Sequence, residues 1–511
     1  MAQNLSEYLG AVLRSTVGVA LALSICNAGL VAYVPLAMVT ILIMVAIYRL
    51  SPLHPLYGFP GPVLYRISEL PMFYHALRGT RHVLVKGFHD TYGSIVRTGP
   101  NTVSLTSMDA IRQIYTSSHA LNKTTAYDMH SIKGEGLFFI KDKATHVRRR
   151  RIWNRSFSEE ALSGYRGSMV SQIQNLMHWL LKRSEQDGKV DLVKIFPQYA
   201  YDSTNAVFFS GHAFSQSLLD SDDAEHIVAE ASGYFAAFEF LGHAQPIFPI
   251  LKHLPGISKF LKFETLATIA AERRFKNGPT FRDGISYWLE GDGGQPKLTY
   301  DDLPIESETV LIGGSDTVGA ISTFAMYFLL ANPKWVELLR QELDGTFHRD
   351  SINDHLDVLD KLVLLNAFVQ ETLRLGMPFS GLPRIVPPDG LFVNGRYIPK
   401  GICVNVPIWT HHVDETYYPN AYTFDPTRWI KDGTYSGSAN VILTFGAGAF
   451  NCVGSKLAYA QLRILLANLL MHLDFTATSD FDAARFWNGV RNCRATSFLE
   501  PLCVRVVPRK H

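Results

Sequence analysis

Between the loop Gly291-Asp292-Gly293-Gly294-Gln295-Pro296 and Pro333 lies one long stretch whose apolar residues recur at helical spacing, and it sets the scale of anything this chain can fold into. At 1.5 Å per residue such a helix runs roughly 45–50 Å, enough to cross a whole domain. Thr299 and Asp302 are spaced as a capping pair at its start, and Pro333 marks its end. In its middle stands Gly313-Gly314-Ser315-Asp316-Thr317. Two consecutive glycines in a helix interior cost about 1 kcal/mol each relative to alanine, and a buried aspartate costs more. A helix weakened at that one point either packs closely there and kinks, or carries a site.

A domain-crossing helix needs a large core around it. The chain has 511 residues, 47% of them hydrophobic, and from about residue 60 onward it shows no linker, repeat or low-complexity tract, so one large domain is expected. The balance of 48 basic against 46 acidic residues excludes bulk nucleic-acid binding. Cys26, Cys403, Cys452, Cys493 and Cys503 are odd in number, scattered and without metal-ligand spacing, which argues against a disulfide framework and fits a reducing compartment.

The N-terminal region reads differently. Val17 to Tyr48 form 32 positions without a formal charge, longer than the apolar part of a cleaved signal peptide and long enough for one membrane span of about 20 residues. The expected organisation is an anchor over 1–50 with a transmembrane helix at about 28–48, a proline-rich hinge over 51–62 read as a stiff extended spacer, and a catalytic domain over 63–511. Arg49 and Arg66 against Arg14 bias the bulk of the chain to the cytoplasmic side.

The chemistry concentrates in Phe445-Gly446-Ala447-Gly448-Ala449-Phe450-Asn451-Cys452-Val453-Gly454, just before an amphipathic helix from Ser455 to about His472. Free N–H groups at a helix start supply the positive potential a thiolate needs, and such a thiolate is a strong ligand for iron. Gly446, Gly448 and Gly454 let backbone amides approach both the sulfur and a flat cofactor above it. Phe445, Gly448, Cys452 and Gly454 resemble the haem-binding signature of the cytochrome P-450 superfamily, Phe-x-x-Gly-x-Arg-x-Cys-x-Gly. Phe450 departs from it, standing where the family usually has Arg or His reaching a haem propionate.

The resemblance extends along nearly the whole chain. Gly313 to Thr317 resembles the family's oxygen-binding groove, which implies that Thr317 serves oxygen and Asp316 its protons. Glu371 and Arg374, with Phe424-Asp425-Pro426-Thr427-Arg428-Trp429 beyond, look like the Glu-x-x-Arg helix and its meander, implying a buried network of Glu371, Arg374 and Arg428 that fixes the cysteine loop. His146 and Arg150, on one helical face, match Trp/His-x-x-x-Arg and would hold a propionate, as would Arg384. In the run Arg148 to Arg151, Arg148, Arg149 and Arg151 would point partly outward, toward an acidic reductase. Tyr234 to Leu241, Tyr127 with Met129, the turn Phe379-Ser380-Gly381-Leu382 and the late turn Ala495 to Phe498 are expected to face substrate.

The resemblance thus implies a mainly α (α+β) cytochrome P-450 fold, with a long central helix over haem, small β-sheets toward the N-terminal part and an N-terminal transmembrane helix. It implies haem b with Cys452 as axial ligand, and a monooxygenase acting on a lipophilic small molecule, such as a terpenoid or polyketide in fungal secondary metabolism. Electrons would come from NADPH through a separate cytochrome P-450 reductase, with cytochrome b5 as a further donor, because the chain has no Gly-rich dinucleotide fingerprint. The expected location is the endoplasmic reticulum membrane, single-pass, with the catalytic domain cytoplasmic. Two other functions remain open at this point: a haem-thiolate isomerase or dehydratase, and a non-catalytic membrane haem-binding protein.

Overall fold

The apolar-periodic segment is helical from Leu303 to Ala331, roughly 44 Å. The structure is a computed structural model and describes residues 35–510 except 117–120, 128–131, 133, 225, 235–257, 291–295, 380, 382 and 438–441. The Thr299–Asp302 box forms, with the Thr299 N–H donating to Asp302 Oδ2 at 2.8 Å, but it closes a 3-10 turn, Tyr300–Asp302, from which the helix departs. Leu303–Leu311 is α-helical, Ile312–Asp316 is a π-helical turn, and Thr317–Ala331 is α-helical again. The wide turn falls on the Gly313-Gly314 pair, where the sequence is weakest as a helix. Thr317 Oγ1 donates to the Gly313 carbonyl at 2.7 Å.

Every residue from Val318 to Leu329 is buried, so this half of the helix is enclosed on all sides. Leu192–Phe209 packs along it, and Glu159–Asp187, Pro333–Thr346, Val363–Leu375 and Ser455–His472 complete a helical body. The closest approach is at Gly319, where a Cβ would lie 2.9 Å from Pro197 Cα. Pro197 sits inside its own helix and has no N–H to bond.

The sheets are small, but they are not confined to the N-terminal part. The largest has the order Ile95–Gly99, Thr102–Leu105, Cys403–Asn405, Arg384–Ile385, joining both halves of the chain. A second joins Leu473–Ala477 and Val190–Asp191 to opposite sides of Cys503–Pro508. Strand pairing over such sequence distances has no local signature.

Among the described residues no helix is long and apolar enough to cross a membrane. The transmembrane helix expected at about 28–48 begins outside them. Its described part, residues 35–50, is helical over about 24 Å. The proline-rich stretch is not the extended spacer expected. It is a run of turns closed by hydrogen bonds from His54 N–H to Ser51 O, Tyr57 N–H to His54 O and Phe59 N–H to Leu56 O, with Leu56 fully buried. The cause is Arg97, itself fully buried, whose guanidinium donates to the carbonyls of Arg49 (3.0 Å) and Pro100 (2.9 Å) and faces His54 Nε2 at 3.3 Å.

Substituting Gly319→Ala should destabilise the protein by about 1–3 kcal/mol although alanine is the better helix former, because the added methyl meets Pro197 backbone that cannot move aside. A denaturant melt checks this through a lower midpoint.

Candidate active site

The cysteine loop is suspended from the helix Val363–Leu375. Glu371 and Arg374 lie on one face of it, both with zero exposure, and form a two-pronged pair of 2.7 and 2.8 Å. Glu371 also accepts from Arg428 Nε (3.0 Å), Trp429 Nε1 (2.9 Å) and the Asp425 N–H (2.9 Å). The remaining Arg374 nitrogen, Nη1, donates to the carbonyls of both His412 (2.6 Å) and Ala421 (2.7 Å). Five donors on one carboxylate are what a buried charge needs to be tolerated.

His412, which nothing in the sequence singled out, carries this rigidity onward. Its Nε2 accepts the Leu443 N–H at 2.8 Å, so its Nδ1 carries the proton and donates to the Arg374 carbonyl at 2.8 Å. Burial, reinforced by His411 and Arg374, holds its pKa well below the ordinary value, which suits a neutral ring. From Leu443 the loop closes on itself: the Gly446 N–H bonds Leu443 O at 2.8 Å, Thr444 Oγ1 donates to Leu373 O at 2.6 Å, and the Cys452 N–H bonds Phe445 O at 2.7 Å. Gly446 and Gly448 both have φ of +68°, and a Cβ on Gly448 would fall on the Tyr115 carbonyl, 1.7 Å from its oxygen.

Cys452 ends the loop beside Gly454, the cap of Ser455–His472. Its side chain lies deep in the molecule and is still accessible, because the surface it exposes is the wall of an internal cavity. Burial pushes the thiol's pKa up, while the N–H groups of Gly454 and Ser455 and the Arg150 guanidinium pull it down. Between this sulfur and the π-helical turn, about 1750 Å³ is free of protein atoms, part of it open to solvent. The far wall holds Gly313, Gly314 and Thr317, with Phe138, Phe379 and Val310 further out.

Asp316 does not line this cavity. It turns to the neighbouring helix, where Oδ1 accepts from the Tyr201 hydroxyl at 3.1 Å and Oδ2 is buried without a hydrogen-bond partner. Burial pushes its pKa up to about 7, against the Tyr201 hydrogen bond. Only Thr317 of the predicted pair is therefore at the cavity wall.

On one edge of the cavity Lys123, His146, Arg150 and Arg384 converge, and among the described residues no carboxylate lines it. His146 is buried, its Nδ1 has no partner, and burial together with Lys123, Arg150 and Arg384 pushes its pKa down to about 3. Arg150 Nη1 donates to the Asn451 carbonyl. Phe450 sits inside the cluster, its ring 4.5 Å from that of His146 and faced at 4.9 Å by both Lys123 and Arg384. Lys123, like His412, is a residue that sequence reasoning missed; a single lysine beside a threonine pair gives no signal of its own.

Other expectations are corrected. Arg149 does not point outward but pairs with Asp302 (3.0 Å) and buried Glu306 (3.3 Å) at the start of the long helix, leaving Arg148 and Arg151 exposed. The late turn is the strand Ala495–Phe498, which does not line the cavity; the Thr496 N–H braces Pro378 O at 3.1 Å behind the Phe379 wall. Tyr127 lies behind Phe138 at 5.4 Å. Tyr234 lines the cavity, whereas 235–241, Met129, Ser380 and Leu382 lie outside the described residues.

A family model described as cytochrome P-450 matches residues 59–486. The chain belongs to the cytochrome P-450 family. It is 30% identical to the cytochrome P-450 monooxygenase FCK2 of Fusarium pseudograminearum, over 88% of this chain and 82% of that one. It is also 30% identical to tryprostatin B 6-hydroxylase of Aspergillus fumigatus, over 91% and 84% of the two chains. With trichothecene C-15 hydroxylase of Fusarium sporotrichioides it shares 27%, over 92% and 96%. The cytochrome P-450DA haem domain has the same fold at a TM-score of 0.71 and 16% identity, covering 88% of this chain and 98% of that one. The chain is thus an oxidoreductase of the monooxygenase class, and its family implies a haem-thiolate cofactor. The cavity fits one: an accessible cysteine sulfur on one wall, apolar faces above it, and basic groups along one edge that include the unpartnered His146 Nδ1.

Two outcomes are expected of this P-450. Arg374→Ala leaves Glu371 buried with its bidentate partner gone and should cost about 3–5 kcal/mol, seen as a lower thermal midpoint together with loss of bound haem. Asp316 has a folded pKa above its unfolded value, so its contribution to stability is present at low pH and is lost as pH rises from about 4 through about 7. Asp316→Asn removes that loss, and the stability of the variant relative to the parent should rise across this window in denaturation midpoints taken at pH 5 and pH 7.5.

Proposed function

We propose that this P-450 inserts one oxygen atom from O2 into a lipophilic small molecule, as a hydroxylation or related oxidation in secondary metabolism of the fungal type. The observation that carries this reading is the cavity whose one wall is Cys452 and whose other is the Gly313–Thr317 turn, with Phe138, Phe379, Val310 and Ile312 above. A pocket so lined selects apolar molecules and orients them through few polar contacts. Haem b held there would supply oxygen activation, and thiolate ligation favours O–O cleavage.

The chain's own groups divide the remaining work. Cys452 would ligate the iron, with Phe445, Gly448 and Gly454 shaping its loop, and His146, Arg150 and Arg384 would hold the propionate edge. Thr317 offers a hydroxyl at the cavity wall where the helix is widened. Asp316, with a pKa near neutral, can hold or release a proton behind it. Glu371, Arg374 and Arg428 act on the geometry of the loop alone.

Electrons would come from NADPH through a separate reductase, with cytochrome b5 as a further donor, and exposed Arg148 and Arg151 suit an acidic partner. We further infer attachment to the endoplasmic reticulum membrane with the catalytic domain on the cytoplasmic side. The support is the uncharged run Val17 to Tyr48, and the exposure of Leu36, Met38, Val39, Ile41, Leu42, Ile43, Met44 and Ile47 on the helix over 35–50, continued by Leu53, Tyr57, Val63, Leu64 and Leu70. The hydroxylase names among the relatives support hydroxylation as the reaction.

The reduced protein should give, with carbon monoxide, the red-shifted Soret band of thiolate-ligated iron, and Cys452→Ala should abolish it. With reductase present, NADPH oxidation should be stimulated by an apolar substrate. Retention of the band in Cys452→Ala sinks the ligand, and turnover independent of NADPH and reductase would instead identify an isomerase or dehydratase.

A further inference from the structure

Lys123 is 5% exposed, an unusual fate for a lysine, and it faces the cavity. Its backbone pairs with that of Arg384 as an isolated antiparallel bridge, and the Ile385 N–H bonds the Asn122 carbonyl at 3.0 Å, so its position is fixed by the same strand that carries Arg384. The ammonium donates to the Phe138 carbonyl at 2.6 Å and lies 5.1 Å from the Tyr127 ring, 5.5 Å from Phe138 and 4.9 Å from Phe450. Among the described residues it has no carboxylate within ion-pair distance. Burial, with Arg384 and Arg150 nearby, lowers its pKa well below the usual value. A buried cation so placed is stabilised by an anion arriving at the cavity edge.

Position 450 gives the complementary half. The family motif has a cation there, and this chain has a phenylalanine whose ring lies 4.9 Å from both Lys123 and Arg384. The aromatic face attracts both cations and holds them beside the cavity edge that position 450 would otherwise serve.

We propose that Lys123 is a haem-propionate-binding residue of this chain, supplying from the segment after Asn122 the positive charge that position 450 lacks, with the Phe450 ring as the platform that orients it. The proposal rests on the haem-thiolate reading above. It predicts that the cation can be moved from one position to the other.

The test measures haem loss from the holoenzyme to excess apomyoglobin, with far-UV circular dichroism as a check on folding. Lys123→Met keeps the stem that packs on Tyr127 and Phe138 and removes only the charge; it should lose haem roughly tenfold faster or more, the effect of removing one charge-assisted hydrogen bond. Lys123→Arg, and Lys123→Met combined with Phe450→Arg, should release haem at the parent rate. Lys123→Gln serves as a second charge-free variant should the methionine variant fold poorly. A charge-free variant that keeps haem like the parent overturns the proposal, and so does accelerated loss that persists in the Lys123→Met, Phe450→Arg double variant. A parent without the thiolate Soret band would instead overturn the haem reading itself, so the two failures are distinguishable.

Discussion

The buried pair of Glu371 and Arg374 is the contact on which the rest of this site depends. Neither side chain has any exposure, and the pair is tolerated because each remaining oxygen and nitrogen is engaged by Arg428, Trp429, the Asp425 N–H or a carbonyl of the segment after His412. Its importance is directional. Arg374 holds one flank of the meander through its guanidinium and, through its own carbonyl, fixes the ring of His412, which in turn holds the backbone at Leu443. The cysteine loop hangs from that residue. A sulfur placed by a chain of short, saturated hydrogen bonds has little freedom to drift, the preorganisation that metal ligands require.

The opposite wall solves a different problem. A helix crossing the domain presents an unbroken row of side chains and amides, and a reactive cavity beside it needs room. The π-helical turn at Ile312–Asp316 provides the room by widening the backbone at two residues without side chains, and the buried helix on either side absorbs the loss. The same turn sends Asp316 and Thr317 to different neighbours, the carboxyl to Tyr201 and the hydroxyl to the cavity wall.

How much could be read from the sequence depends on how local each signal is. The long helix, its weak middle, the cysteine loop and the Glu371–Arg374 spacing are short-range patterns, and each lies where its pattern placed it. Pairings that join distant segments were invisible: the strand Cys403–Asn405 beside Thr102–Leu105, Arg149 turned toward Glu306, and Lys123 brought against Phe450. The proline-rich stretch misled for the same reason. Four prolines suggest an extended spacer by composition, but Arg97, 35 residues beyond Pro62, gathers its carbonyls into turns. The motif resemblance gives Asp316 and Thr317 one shared role, yet successive helical residues point about 100° apart, and only the threonine reaches the cavity.

That Arg97 clamp also fixes how the N-terminal helix joins the body. Because one guanidinium ties carbonyls from Arg49, Leu56 and Pro100 together, the apolar helix ending at residue 50 leaves the body along a set bearing instead of swinging on a tether. Three carbonyls held by one buried side chain give the junction between that helix and the body a single geometry, where proline composition alone would suggest an extended strap.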